Sequence, residues 1–262
     1  MSDKPTILFV HGAYHPPAVY SALTTALGNA GFDVLAPRLA SLGSATHGVA
    51  VPDDDVAVLR AAVEPSFAEG KKVVVLAHSI GGFFSTAAIK GFTVAERQRE
   101  GKAGGFAGVV YMNSTLPVSH EDTVMAVCDP ASAVIFDVDV REDGKMVSFF
   151  KTDDASKDQA LHFFYSCVPR ELSEKVFSQL ERFNTHAFLT PAATLASELE
   201  GIAKTYIVGE QDYVVPLAQQ ERIISSTPGM KEVRLAGCGH SPFLTHVDDV
   251  VKAVEGVAEE VA

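Results

Sequence analysis

The sequence predicts an α/β fold, a mainly parallel sheet of about six strands flanked by helices and interrupted by an inserted cap. Apolar, strand-like runs alternate with amphipathic helical stretches through most of the 262 residues, and such alternation implies parallel strands joined by right-handed crossovers. The run Val73-Val74-Val75-Leu76 is continuous in apolar residues, as a strand covered on both faces must be. The stretch 115–199 breaks the alternation, which in such a fold marks an insertion. The expected organisation is therefore a core of residues 1–114 and 200–262, with 115–199 as the cap.

Thr6-Ile7-Leu8-Phe9-Val10 reads as the first buried strand, closed by the loop His11-Gly12-Ala13-Tyr14-His15-Pro16-Pro17. A helix with Val19, Leu23 and Leu27 on one stripe follows and stops near Gly31. Residues 32–37 form a second strand, and 38–51, rich in Gly, Ser and Ala, a long surface loop. Pro52-Asp53-Asp54-Asp55 opens a helix that buries Val56, Leu59, Val63 and Phe67. Proline suits its first turn, and the carboxylates stabilise its positive end better than they suggest a metal site. The third strand ends in Ala77-His78-Ser79-Ile80-Gly81-Gly82, with a helix behind it. Residues 106–112, 204–208 and 231–235 are the remaining strands. The last helix is expected from Thr245, in a capping box with Asp248, with Val247, Val250, Val251, Val254 and Val261 buried. Within the insertion, a hairpin turning at Asp143-Gly144 precedes helices over 158–167 and 169–183.

Composition narrows the function. A net charge of −12 argues against nucleic acid and anionic membrane surfaces as partners. Cys128, Cys167 and Cys238 lie far apart without metal-ligand spacing, which points to reduced thiols in a cytoplasmic protein. The N-terminus runs straight into a strand with no signal-like segment, and no apolar run reaches the roughly 20 residues of a membrane helix.

The chemistry centres on Ser79. A strand, a sharp turn with small residues two before and two after a serine, and then a helix make a nucleophile elbow; Ala77 and Gly81 hold those places, with Ala where Gly is commoner. Taken alone, the serine could equally cap a helix. A serine nucleophile needs a base, and His240, in the glycine-flanked loop after the last strand, is the candidate. The base needs a carboxylate. Asp212 is favoured over Glu210 because its spacing from the next helix turns it inward. The oxyanion hole is expected from the backbone N–H groups of Ile80 and Ala13. His11 reads as a loop brace and His78 as a packing neighbour, while His15 either lines the pocket mouth or is solvated. Candidate substrate contacts are Gly12, Tyr14 and His15 in the first loop and Met125, Phe149, Phe163 and Phe164 in the insertion. With Val124, the insertion residues either cap an apolar pocket or form the cap's own core.

The order Ser79, Asp212, His240 and the loops around them resemble the α/β-hydrolase superfamily over nearly the whole chain. Four stretches, His11 to His15, Ala77 to Gly82, Phe163 to Pro169 and Tyr206 to Asp212, are similar to the plant methylesterase and hydroxynitrile-lyase group with its bacterial and fungal relatives. The resemblance implies a strand order 2-1-3-4-5-6, triad positions at Ser79, Asp212 and His240, and hydrolysis of small carboxylic esters without a cofactor. Lyases of the group carry Thr after the first-loop His and Lys after the catalytic His. Gly12 and Ser241 stand there instead, which favours hydrolysis. The chain also has no Trp where the group often has one in its first loop; Tyr14 and Pro16-Pro17 take that place.

The expectation is a cofactor-independent serine hydrolase cleaving a small to medium, largely apolar ester (methyl ester or lactone) through an acyl-enzyme. Two alternatives use the same scaffold: a lyase, cyclase or C–C-cleaving enzyme with His240 as base, and a hydrolase-derived ligand receptor. The expected partner is a small molecule, with a homodimer left open.

Overall fold

The structure is a computed structural model that describes residues 4–43, 52–140 and 146–262. Among these, β1 (Thr6–Val10), β2 (Val34–Leu35), β3 (Lys72–His78) and β4 (Gly105–Met112) come first. An antiparallel trio follows, β5 (Phe136–Val140), β6 (Met146–Phe150) and β7 (Phe183–Asn184), before the chain returns with β8 (Ala203–Gly209) and β9 (Met230–Leu235). The helices are α1 (Ser21–Asn29), α2 (Pro52–Ala68), α3 (Gly81–Ile89), α4 (Val94–Arg99), α5 (Asp154–Tyr165), α6 (Arg170–Phe177), α7 (His186–Leu189), α8 (Leu217–Ser225), α9 (Pro242–Thr245) and α10 (Val247–Glu260).

The main sheet is six-stranded in the order β2-β1-β3-β4-β8-β9 and parallel throughout, as the resemblance implies. Burial explains which runs are continuously apolar. β1 and β4 are buried along their whole length, and β3 from Val73 onward, because helices lie over both faces. β9 sits at the edge and exposes Lys231, Glu232 and Arg234, charges that discourage pairing with another chain. Between β4 and β8 the trio forms its own sheet in the order β5-β6-β7, with α5, α6 and α7 around it.

Several expectations need correction. The second strand shrinks to Val34–Leu35, paired with Ile7 and Leu8, because beyond it the chain turns inward and Leu39 N–H donates to His11 Nε2 (3.0 Å). The stretch from residue 38 is no surface loop where it is described: Leu39, Ser41 and Leu42 are buried. Ser41 donates from N–H and Oγ to Asp55, which is buried rather than solvated at the helix end. Burial raises the Asp55 pKa to about 6. The rest of that loop, 44–51, lies outside the described residues, as does the expected turn at Asp143-Gly144, although β5 and β6 do pair antiparallel. The insertion's two helices occupy 154–165 and 170–177 rather than 158–167 and 169–183. The capping box at Thr245 does not form. His246 breaks the helix between α9 and α10, and Thr245 Oγ1 is bonded to His246 Nδ1 (2.8 Å). α10 then buries Val250, Ala253, Val254, Val257 and Ala258, with Val247, Val251 and Val261 only partly covered.

Candidate active site

Ser79 follows β3 directly and has φ 52°, a left-handed backbone that costs energy in any residue with a side chain and is held only by its surroundings. Here the surroundings are specific. Ser79 N–H donates to Met112 O, and Ser79 O accepts from Gly82 and Thr115 N–H. The turn demands Gly81, since a Cβ there would lie 2.6 Å from the Val10 carbonyl oxygen.

The elbow delivers the hydroxyl to a histidine. His240 Nε2 lies 3.1 Å from Ser79 Oγ, and His240 Nδ1 donates to Asp212 Oδ2 (2.8 Å). Because a carboxylate only accepts, Nδ1 carries the proton and Nε2 offers its lone pair to the serine. Asp212 is fixed from three further directions: Oδ1 accepts from Val214 and Val215 N–H, and Oδ2 accepts from Asn113 Nδ2 (2.8 Å). Glu210, two residues away, is exposed. His240 and Asp212 are both buried, so their attraction acts with little competition from water.

Three other histidines surround this line, and each is kept neutral. Burial lowers the pKa of His11 to about 4 and of His15 to about 3, and pulls His78 well below the ordinary histidine value. Their partners define the tautomers. His78 Nε2–H donates to the His240 carbonyl (2.8 Å), so Nδ1 accepts from Tyr20 Oη (2.8 Å), which in turn accepts from Gly12 N–H (3.0 Å). His78 is thus more than a packing neighbour; it links the first loop to the backbone of His240. His11 Nδ1–H donates to Gly12 O (2.8 Å). A trans peptide points its N–H opposite its C=O, so this bond turns Ala13 N–H away from His11. Neither Ala13 N–H nor Ile80 N–H has a protein acceptor among the described residues.

A cavity of about 210 Å³, open to solvent, lies against Ser79, Ala13 and Ile80. Tyr14, Met125 and Phe164 line it, together with Val124, Cys128, Phe136 and Val214. Burial raises the Cys128 thiol to about 12, so it serves as a neutral wall. No charged side chain lines this space among the described residues. Tyr14, itself at φ 65°, reaches up from the first loop, stacks on Phe136 (4.8 Å between centroids) and is bonded to Ser148 Oγ (2.9 Å).

Four expected contacts do not reach the cavity. Gly12 is buried beneath it, where a Cβ would meet His78 Nδ1 at 2.8 Å. His15 neither lines the mouth nor is solvated: its ring donates to Ala13 O (2.6 Å) and accepts from Tyr165 Oη (2.7 Å). Phe149 faces away because side chains alternate along β6. Ser148 lines the cavity, while Phe149 packs under the Arg182 guanidinium at 4.2 Å. Phe163 is rotated off the lining face of α5, whereas Phe164 sits edge-on to His240 at 5.4 Å. Asn113 went unnoticed in the sequence, as did Thr115, Ser148 and Thr185 on the cavity wall. A lone Asn after a buried strand, tolerant of positive φ, was the one available signal; it has φ 47°.

Residues 7–253 match the model of the alpha/beta hydrolase family. The chain belongs to that family. It is an enzyme of the hydrolase class, and its relatives agree. It is 26% identical to the alpha/beta hydrolase nvfD of Aspergillus novofumigatus, over 98% of each chain. It is 24% identical to a pyrethroid hydrolase of Sphingobium wenxiniae, over 97% of this chain and 87% of that one. Among solved structures, a methylesterase from Arabidopsis superposes with a TM-score of 0.75 at 19% identity, covering 98% of this chain and 99% of that one. A pyrethroid hydrolase from Sphingobium faniae gives 0.69 at 20%, covering 97% of each. No helix among the described residues is long and apolar enough to cross a membrane.

Proposed function

We propose that this hydrolase is a serine esterase that cleaves a neutral, largely apolar carboxylic ester or lactone of small to medium size through an acyl-enzyme. The observation that carries this reading is the hydrogen-bonded line Ser79–His240–Asp212 opening onto an uncharged, apolar cavity. His240 Nε2 takes the Ser79 proton as Oγ attacks the carbonyl carbon. Ala13 and Ile80 N–H groups hold the oxyanion, each worth about 3–4 kcal/mol at the transition state. His240 then passes its proton to the departing alkoxide. In the second half it takes a proton from water, hydroxide attacks the acyl carbon, and Ser79 is regenerated. Asp212 keeps the imidazole oriented and stabilises its charged form.

The likeness to a methylesterase and to pyrethroid hydrolases supports this reading, as does the first loop. The Thr that lyases carry at the place of Gly12 would collide with His78, and Ser241, at the place of their Lys, donates to the Phe164 carbonyl (2.8 Å). The free thiols of Cys128, Cys167 and Cys238 accord with a reducing, cytoplasmic setting. The test pairs fluorophosphonate labelling, located by mass spectrometry, with turnover of p-nitrophenyl and methyl esters by wild type and Ser79→Ala. Labelling at Ser79 and serine-dependent turnover are expected; hydrolysis at the wild-type rate by Ser79→Ala would overturn the proposal.

A further inference from the structure

The side chains of β5 sort by chemistry onto its two sides. Residues alternate along a strand, so Phe136, Val138 and Val140 share one side, and Asp137 and Asp139 the other, where Asp139 pairs with Arg182. The apolar side is the cavity's. Phe136 and Val138 line the cavity, as does Ser148, the partner of Val138 on β6. Val140 continues that side one step outward, opposite Met146. Exposure rises along it: Phe136 is partly buried, Val138 is 47% exposed and Val140 69%. Leu189, half exposed, lines the cavity from α7. An apolar track thus leads from the chamber of Ser79 out to the surface.

Isolated apolar side chains on a protein surface are ordinary. These are contiguous, they begin inside the cavity, and the acids of the same strand stand on its other side. A second copy of the chain is a poor occupant. Pairing along β5, the edge of its sheet, would bring Asp137 and Asp139 beside the same acids, and like charges across a strand pair destabilise it. The net charge of −12 disfavours an anionic surface in the same way. We propose that the track holds the tail of the substrate, an unbranched apolar chain on the acyl or the alcohol side of the ester, which outruns the cavity and lies along Phe136, Val138 and Val140. Four residues of strand cover roughly 13 Å, the reach of about ten methylene groups. This rests on the esterase reading above and narrows its substrates to esters with an extended hydrocarbon tail.

The experiment measures kcat/KM for two series, methyl butanoate to methyl dodecanoate and butyl acetate to dodecyl acetate, each below its micelle-forming concentration. It does so in wild type, Val138→Thr, Val140→Thr and Val140→Asp. In wild type one series is expected to gain about twofold per methylene to its longest members. A methylene taken wholly out of water is worth about fourfold, and one laid on an open face about half of that free energy. The ratio of the longest to the shortest ester should fall about threefold in Val140→Thr and about tenfold in Val140→Asp, whose carboxylate the tail would have to desolvate. Val138→Thr should lose the gain at a shorter tail than Val140→Thr does, because its side chain stands nearer to Ser79 on the track. Several results overturn the inference: the same slope in wild type and all three variants, no gain in wild type, or an equal fall on short and long esters, which marks a structural role. So does a gain that appears only where the ester aggregates, or a dimer, seen by light scattering, that Val140→Asp dissociates. The two readings fail separately. Absence of both turnover and fluorophosphonate labelling at Ser79 in wild type removes the esterase reading itself, whereas serine-dependent turnover indifferent to tail length removes only the track.

Discussion

On the floor of the cavity, in the loops that follow β1, β3, β4, β8 and β9, the polar side chains around Ser79 (His15, His78, Asn113, Asp212 and His240) are buried and hydrogen-bonded. On the roof, between β4 and β8, the walls are aromatic and aliphatic, and Val138 and Leu189 stand about half in solvent at 47% and 49%. The two meet through side-chain bonds, among them Tyr14 with Ser148, His15 with Tyr165, and Ser241 with the Phe164 carbonyl, and through backbone bonds such as Asn184 N–H to the Ser41 carbonyl. The difference teaches where accuracy is needed. Hydrogen bonds are directional and fix atoms that must react, while dispersion and apolar burial tolerate displacement and suit surfaces that need only contain a substrate.

The contrast is broken most severely on the floor. Ser79→Ala should lower kcat by roughly 10⁵-fold or more with thermal unfolding little changed, because only the proposed nucleophile is lost; ester turnover and calorimetry check both halves. Asp212→Asn should reduce kcat about 10⁴-fold, since an amide beside His240 favours the wrong tautomer, and a steady-state assay would reveal it.

Acid should weaken the floor before the roof. His11, His15 and His78 have folded pKa values depressed below 6.5, so the unfolded chain binds more protons as pH falls, and stability present above about 6.5 is lost toward pH 4. His11 and His15 each contribute a slope of about 1.4 kcal/mol per pH unit over that window, and His78 acts in the same direction. Asp55, with its pKa raised to about 6, acts in the opposite sense and gains stability as pH falls through that value. Urea unfolding from pH 7.5 to 4.5 should show the net loss; a flat profile would contradict the neutral, buried histidines.

Smaller effects are expected from Asn113 below the cavity and Leu189 above it. Asn113→Gly keeps the left-handed backbone but removes the bond to Asp212, and should cost roughly tenfold to a hundredfold in kcat with KM nearly constant, as expected for a lost bond to a charged group. On the roof, Leu189→Ser should lower kcat/KM for long-chain esters only severalfold while stability stays within about 0.5 kcal/mol, as matched kinetics and melting curves would show.

The same division decides what could be read from the sequence. Ser79, Asp212 and His240 each sit in a loop at the end of a strand with a distinctive local pattern, and the structure brings all three within hydrogen-bonding reach. Strand order followed from the resemblance and the helices from their apolar spacing. What escaped depends on long-range placement. Phe149 and Phe163 resemble pocket residues in the sequence because residue type does not reveal strand register or helix phase. His15 looked available until Tyr165, distant in sequence, occupied its ring. Asn113 carries no motif, and its bond to Asp212 arises only because β4 lies between β3 and β8. The stretch after residue 38 looked like surface from its small residues, yet Asp55 and the insertion bury its start.

The antiparallel trio β5-β6-β7 is tied to the floor along β7, where Gly43 N–H donates to the Arg182 carbonyl, Asn184 N–H to the Ser41 carbonyl and Glu181 N–H to the Tyr14 carbonyl, and through the Tyr14 ring packed among Phe136, Phe150 and Phe183. A substitute roof would have to reproduce an acceptor for Tyr14, a hydroxyl for His15 and a carbonyl for Ser241, together with the backbone partners of Ser41, Gly43 and Tyr14. The chamber's shape and the alignment of the reacting atoms are thus carried by different bonds: apolar side chains between β4 and β8 line the space, while the hydrogen bonds of Ser79, His240 and Asp212 lie wholly below it.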